Sequence, residues 1–136
     1  GLMNALVQEG AKYDIRVNAL APTAGTRMTE GLMQEEACEM LTPATVTPAV
    51  LYLVSEDAPT HTILGAGAGS FAVAKIVESD GMWLPENEQT PEGIAAHWDQ
   101  ISEGGEKQLK AGFEQTFKMV GKAAEGQGIN LTESES

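Results

Sequence analysis

Hydrophobic and polar positions alternate with two different periods along the first half of the chain. Apolar residues at helical spacing over residues 1–14 predict a helix. Residues 15–21 switch to strict alternation, which predicts a short strand that Pro22 ends, because proline cannot donate to a strand ladder. Helical spacing returns over residues 30–41, and a second strand is predicted over residues 62–66. This order implies crossover connections and a parallel sheet with helices on its faces.

Helix-start signals are present at one of these helices and absent at another. The stretch TVTPAVLYLVSEDAP predicts a helix with Thr47 as N-cap and Pro48 at the first helical position. No capping residue precedes the apolar pattern at the N-terminus. We therefore expect Gly1 to lie within a helix whose beginning is absent, or to be the remnant of a tag.

After about residue 78 the pattern changes to a polar loop followed by helices. Thr90 as N-cap and Pro91 as the first helical residue predict a helix over residues 91–101, which the SEGGE stretch ends. Residues 106–124 predict a second, amphipathic helix. We therefore predict two domains, a sheet-containing part over 1–78 and a helical extension with a frayed tail over 79–136.

The second predicted helix has two distinct faces. Its apolar face carries Leu109, Phe113, Phe117 and Val120. Another face carries four lysines, which we expect to be solvated: Lys107, Lys110, Lys118 and Lys122.

The glycine-rich stretch ILGAGAGS at residues 63–70 raises the question of a phosphate-binding turn. Such a turn requires Gly-x-Gly-x-x-Gly between a strand and a helix. Counting from Gly65 places Ser70 at the third glycine position, and counting from Gly67 places Ala72 there. The following SFAVAKI segment is β-prone. The stretch therefore predicts a sharp bend or a close backbone approach rather than a phosphate cradle.

Composition narrows the possible partners. A formal charge of −12 makes nucleic acid and acidic membrane surfaces poor partners, and no apolar run is long enough to cross a bilayer. The single cysteine, Cys38, excludes an internal disulfide and is compatible with the cytoplasm. The histidines His61 and His97 stand alone, whereas metal sites gather three or four ligands, so no metal site is predicted.

The stretch EGAKYDIRVNALAPTAGTRMTE resembles the later part of the short-chain dehydrogenase/reductase family. The likeness continues through TPATVTPAVLYLVSED, GAGS at 67–70 and TPEGIAAHWDQI at 90–101. More narrowly, it is similar to the (3R)-hydroxyacyl-CoA dehydrogenase unit of peroxisomal-type multifunctional β-oxidation enzymes. The resemblance implies the C-terminal half of a Rossmann-type doubly wound parallel sheet, followed by a helical extension.

The loop after Pro22 is the candidate binding site. Ligands in open α/β sheets bind beyond the carboxyl ends of the strands. Thr23 stands where many family members have glycine, and the alternative is a surface loop that leads to the next helix, with Thr29 as its N-cap. The resemblance implies that this loop holds the nicotinamide end of NAD through four residues: Ala24, Gly25, Thr26 and Arg27.

No catalytic residue is assigned to this chain. The family uses a Tyr-x-x-x-Lys pair, but Val17 follows Tyr13 at the fourth position and Glu56 follows Tyr52. We therefore expect a fragment of a dehydrogenase that is inactive alone and binds NAD weakly or not at all. In the intact enzyme it would supply the nicotinamide-side loop and part of the acyl pocket for oxidation of a 3-hydroxyacyl-CoA.

A non-catalytic alternative remains open. An open sheet edge attracts other chains, so the fragment is also compatible with an assembly piece. The aromatic residues of the extension either pack internally, close the substrate cavity or contact a partner subunit: Trp83, Trp98, Phe113 and Phe117. The resemblance implies a homo-oligomer, such as a dimer, in the cytoplasm, or in the peroxisome of a eukaryote.

Overall fold

A computed structural model describes residues 1–25 and 35–131 of the chain. The chain forms two compact units, Gly1–Lys75 and Ile76–Ser136. The first unit contains helices α1 (Leu2–Gly10), α2 (Glu35–Met40) and α3 (Thr47–Leu53), and strands β1 (Ala19–Pro22), β2 (Ile63–Gly67) and β3 (Ser70–Ala74). The second unit contains β4 (Val77–Glu78), α4 (Pro91–Ala96), α5 (Trp98–Ser102), β5 (Lys107–Gln108) and α6 (Gly112–Gln127).

The sheet of the first unit has the order β1-β2-β3. β1 and β2 are parallel, with Ala19 opposite Ile63 and Pro22 opposite Ala66. β3 pairs with the other edge of β2 in the antiparallel sense. The predicted α/β class and the parallel pair are therefore confirmed. The expectation of a parallel sheet needs correction, because the described sheet is mixed, and β1 begins at Ala19 rather than at residue 15.

Two polar residues just before β1 fasten it to the loop that leads into β2. Arg16 Nη1 donates a hydrogen bond to the carbonyl oxygen of Ala58 at 2.9 Å. Asn18 Nδ2 donates to the carbonyl oxygen of Pro59 at 2.6 Å, and Asn18 Oδ1 accepts the N–H of Thr62 at 3.1 Å. Side chains thus satisfy backbone groups that a strand ladder would otherwise satisfy. These hydrogen bonds therefore fix the register of β1 and β2 at residues that precede Ala19, the first residue of β1.

The glycine-rich stretch forms a β-hairpin. β2 and β3 are joined by Ala68 and Gly69, which have φ angles of 51° and 73°. Positive φ at both central residues is typical of the type I′ turn that matches strand twist. The predicted sharp bend is therefore confirmed, and the segment after it is a strand, as its β-prone residues indicate.

The core of the first unit lies between the sheet and α3. Val46 and Ala49 at the start of α3 are buried against Leu64 and Ala66 of β2. Leu20 of β1 and Leu53 of α3 pack at its margin. Alternate residues of β2 therefore face the helix, while Gly65 and Gly67 face the other side of the sheet.

Helix α3 begins one residue earlier than the sequence predicts. Thr47 is its first helical residue and Pro48 its second, whereas Val46 is the capping residue. The Val46 N–H already bonds to the carbonyl of Pro43, at the end of a 3-10 turn over Pro43–Thr45. Because this turn leads directly into the helix, Thr47 does not need to act as a cap. The predicted cap position is therefore wrong by one residue.

In the second unit, the predicted Thr90 cap is confirmed, but the helix predicted after it is divided in two. Thr90 Oγ1 accepts the N–H of Gly93 at 3.0 Å at the start of α4. The helix predicted over 91–101 is broken at His97, which separates α4 from α5. His97 Nε2 lies 2.9 Å from Glu88 Oε2. The His97 side chain therefore links the break between α4 and α5 to the preceding 3-10 helix, Glu86–Glu88.

The prediction of a helix from residue 106 is wrong at its beginning. Lys107 and Gln108 form β5, which pairs antiparallel with β4, with Lys107 opposite Glu78. The Leu109 N–H donates to the carbonyl of Ile76. These pairings join residues about thirty positions apart in the sequence, so a local periodicity cannot detect them. α6 consequently begins at Gly112.

Helix α6 does not bury the face that its apolar pattern indicates. Phe113 and Phe117 are 57% and 73% exposed, although their rings contact each other edge to face at 6.4 Å. Ala124 is the buried residue of the helix. At Gly126, an added Cβ would lie 2.3 Å from Trp83 Cε3. The indole of Trp83 therefore packs against the helix backbone, and only glycine leaves room for it.

We predict opposite effects of alanine at two glycines of α6. Gly126→Ala should destabilise the second unit, because overpacking costs about 1–3 kcal/mol and outweighs the gain in helix propensity. Gly121→Ala should stabilise it by about 0.5–1 kcal/mol, since no atom lies within 4 Å of an added Cβ there. Urea unfolding followed by tryptophan fluorescence measures both changes. A stabilised Gly126→Ala variant would contradict the packing of Trp83.

Candidate functional site

The carboxyl ends of β1 and β2 form the candidate site in the first unit. Beyond Pro22, the Thr23 N–H donates to the carbonyl of Ala66 at 2.8 Å, so the parallel pairing continues by one residue. Gly67 lies beside Thr23, and an added Cβ on Gly67 would be 2.7 Å from the Thr23 carbonyl oxygen. The absence of a side chain at Gly67 therefore lets the loop start close to β2.

The loop is also fastened two residues later. The Gly25 N–H donates to the carbonyl of Leu41 at 2.6 Å, just after α2. An added Cβ at Gly25 would lie 3.1 Å from the carbonyl oxygen of Cys38. Ala24 lies between these two tethered residues, and its N–H donates to no acceptor within residues 1–25 and 35–131. Within the described part of the chain, the N–H of Ala24 is therefore a candidate donor to a ligand at the strand ends.

The structure places part of the predicted cofactor loop. Ala24 and Gly25 lie at the carboxyl edge of the parallel pair, where the sequence predicts them. Thr26 and Arg27, and the alternative N-cap Thr29, lie outside the described residues.

An open cavity of about 340 Å³ adjoins this edge. Its lining includes Ala21, Thr23 and Leu41 together with Gly65, Gly67 and Phe71. Gly65 and Gly67 line this cavity with their backbone, because they carry no side chain. The described lining contains no titratable side chain. This part of the site can therefore position a ligand but cannot transfer a proton.

The described part of the chain holds neither a group of potential metal ligands nor a helix that could cross a membrane. Over residues 1–25 and 35–131, no three acidic, histidine or cysteine side chains gather into a possible metal site. His61 is instead engaged by Asn4, with 2.8 Å between Nε2 and Oδ1. Within the same ranges, no helix has both the length and the apolar content to cross a bilayer.

The second unit contains an ion pair, Lys118 with Glu78, that the sequence pattern did not predict. Lys118 Nζ donates to Glu78 Oε1 at 2.6 Å and also to the carbonyl of Ser79, while Gln115 donates to the second Glu78 oxygen. The Lys118 hydrogen bond, which outweighs the opposing effect of desolvation, holds the pKa of Glu78 below its usual value. The side chains of Lys118 and Glu78 are only 18% and 16% exposed. The expectation that this lysine is solvated is therefore wrong.

Comparison with known proteins shows that the chain is similar to part of members of the short-chain dehydrogenase/reductase family. A short-chain type dehydrogenase/reductase of Mycobacterium tuberculosis is 38% identical over 104 residues, which cover 76% of this chain and 36% of that protein. The resemblance stated from the sequence motifs is thus confirmed. No protein-family model matches the chain.

Multifunctional enzymes are among the similar proteins. The peroxisomal hydratase-dehydrogenase-epimerase of Saccharomyces cerevisiae is 36% identical over 110 residues, and the peroxisomal multifunctional enzyme type 2 of Mus musculus is 36% identical over 104. The matches cover 79% and 74% of this chain, but 12% and 14% of these relatives. The chain therefore spans only a minor part of the curated relatives that it matches.

A solved structure shares the fold. The full-length peroxisomal multifunctional enzyme type 2 of Drosophila melanogaster superposes with a TM-score of 0.74 at 24% sequence identity. The superposition covers 89% of this chain and 23% of that one. At this identity, the likeness supports the fold alone.

We predict that Gly67→Ala displaces the loop that follows β1. The added Cβ would overlap the Thr23 carbonyl, so the backbones must separate, at a cost of about 1–3 kcal/mol. Amide resonances of Thr23, Ala24 and Gly25 should shift in ¹H–¹⁵N spectra. Gly65→Ala is the matched control, because its nearest neighbour outside the local chain would be the Ala72 carbonyl at 3.4 Å. Unshifted loop resonances in Gly67→Ala would exclude this contact.

Proposed function

We propose that the chain forms the nicotinamide side of the cofactor site, and part of the acyl pocket, of an NAD-dependent 3-hydroxyacyl-CoA dehydrogenase. The loop after Pro22 supports this function most directly, because it is fastened at Thr23 and Gly25 beyond the carboxyl ends of two parallel strands. The names of two relatives, a hydratase-dehydrogenase-epimerase and a short-chain type dehydrogenase/reductase, favour the same class of reaction.

One backbone donor of this loop suits a nicotinamide group. The N–H groups of Thr23 and Gly25 are occupied, whereas the N–H of Ala24 donates to no described residue. A carboxamide oxygen is a suitable acceptor for such a group. We assign binding to Ala24, Gly25, Thr26 and Arg27, with Thr26 supplying a side-chain hydroxyl. These residues would orient the nicotinamide ring of NAD, which would supply the hydride acceptor.

Proton transfer is not assigned to this chain. Its 136 residues contain no Tyr-x-x-x-Lys, and no titratable side chain lines the described cavity of the first unit. Oxidation of an alcohol requires a positioned base for the hydroxyl proton. We therefore propose that the chain alone is inactive and that the catalytic pair belongs to another part of the intact enzyme. We also propose that the intact enzyme is located in the cytoplasm or, in a eukaryote, in the peroxisome.

We predict that Thr26→Ala, made in a full-length dehydrogenase that contains this chain, lowers the rate of hydride transfer more than it lowers stability. Loss of one hydrogen bond to a cofactor weakens its binding or orientation by about 0.5–1.5 kcal/mol, or roughly two- to tenfold. NADH absorbance with a (3R)-hydroxyacyl-CoA measures the rate, and thermal unfolding measures stability.

Thr116→Ala is the control for that substitution, because Thr116 is exposed on α6 and its hydroxyl bonds only within the helix among the described residues. An unchanged rate in Thr26→Ala would contradict the proposed role. For the 136-residue chain alone, calorimetry should detect weak NAD binding or none. Submicromolar binding would show that the cofactor site is complete within these residues.

Assembly through the sheet is the second candidate function. All five residues of β3 are exposed, including Phe71 at 50% and Val73 at 56%, and in the described part of the sheet β3 pairs only with β2. An exposed apolar edge strand favours pairing with another chain. Sedimentation of the chain should then show a homo-oligomer that Val73→Lys dissociates. A monomer at high concentration would count against this function.

A further inference from the structure

Asp80 and Gly81 form the one Asp-Gly pair in the sequence. In such a pair, the glycine amide nitrogen can attack the carboxyl carbon of the aspartate, because glycine has no side chain to block the approach. The new N–C bond closes a five-membered succinimide ring, and one water leaves. One water then hydrolyses the ring. When the bond from the nitrogen to the former main-chain carbonyl breaks, the product is an isoaspartyl residue, whose main chain runs through the side-chain carbon.

The structure leaves the reacting groups of this pair without partners. Asp80 is exposed, and its carboxylate forms no hydrogen bond or ion pair with residues 1–25 or 35–131. Within the same ranges, the Gly81 N–H donates to no acceptor. Gly81 has a φ of 63°, and no atom lies within 4 Å of an added Cβ. The open surroundings permit the main-chain rotation that ring closure requires.

The contacts of Asp80 lie on the side away from the reacting bond. Its N–H donates to the carbonyl of Gly104 at 2.9 Å. Its carboxylate packs over Gly105, where an added Cβ would overlap it. This packing is a van der Waals contact with a residue that has no side chain, so no hydrogen bond holds the carboxyl carbon in place. The main chain is therefore fixed before Asp80 and free after it.

The three other aspartates of the chain lack this combination. After Asp14 and Asp57, the next amide N–H donates to a main-chain carbonyl, at 3.1 and 3.2 Å. Asp99 lies within α5, where the helix restricts the main chain. Each of the three is also followed by a residue with a side chain. Asp80 is thus the aspartate at which both the sequence and the structure favour ring closure.

We infer that the bond between Asp80 and Gly81 is a site of spontaneous isoaspartate formation in the folded chain. Both residues line a cavity of about 450 Å³ within the second unit. Trp83 lines the same cavity and packs against α6 at Gly126. The rearrangement adds one carbon to the main chain of this wall and moves its carboxylate. It requires only water, so it is independent of NAD and of the proposed dehydrogenase function.

The test incubates the full chain at neutral pH and physiological temperature for several weeks. Cleavage after lysine then releases residues 76–107, which contain both Asp80 and Asp99. Electron-transfer fragmentation distinguishes the isoaspartyl from the aspartyl linkage. Isoaspartate should accumulate at least tenfold faster at Asp80 than at Asp99. An L-isoaspartyl methyltransferase, which methylates the new carboxylate with S-adenosylmethionine, should report the same time course.

Two variants with equal net charge locate the reaction. Asp80→Glu should abolish it, because glutamate must close a less favourable six-membered ring, whereas Asp99→Glu should leave the yield at Asp80 unchanged. Far-UV circular dichroism confirms that each variant is folded. Equal rates at Asp80 and Asp99, or methylation that persists in Asp80→Glu, would overturn the inference. So would a rate at Asp80 tenfold below that in a synthetic peptide of residues 76–85, because packing on Gly105 would then protect the aspartate.

Discussion

The parallel pairing of β1 with β2 is the constraint on which the candidate site depends. Asn18 fixes its register through the backbone of Pro59 and Thr62, before the strand begins. Gly67 then permits the chain after Pro22 to stay close to β2. Since both contacts act on the backbone, they place the loop at the strand ends independently of the side chains that this loop carries. The proposed cofactor-binding role of this loop would need such positional accuracy, because backbone groups would contact the ligand.

Backbone contact at a glycine also organises the second unit. Trp83 packs against α6 at Gly126, and Lys118 joins the same helix to β4 through Glu78. The helix therefore directs a glycine and a lysine inward while Phe117 remains exposed. This orientation leaves an apolar cavity beside charged residues within the second unit.

Local sequence signals were sufficient where the structure depends on residues close in the chain. The strand at 62–66 is observed at Ile63–Gly67, and the Thr90 cap is formed as predicted. The bend after Gly67 contains Gly69, which accepts positive φ readily, whereas the positive φ of Ala68 is uncommon for a residue with a Cβ. For the site, the sequence placed Ala24 and Gly25 at the carboxyl edge through the end of the strand at Pro22. Their tethering was not predictable, because it requires partners at Ala66 and Leu41.

The sequence by itself determined the α/β class, the approximate positions of the strands and the family resemblance, since periodicity, turns and caps act over a few residues. Tertiary structure alone decided that Lys107 belongs to a strand, that Lys118 is paired and that Phe117 is exposed. In each case, whether the side chain or backbone has a contact partner depends on residues that are distant in the sequence. The free energy of such contacts depends on which surfaces meet, and helical or strand periodicity does not encode that choice.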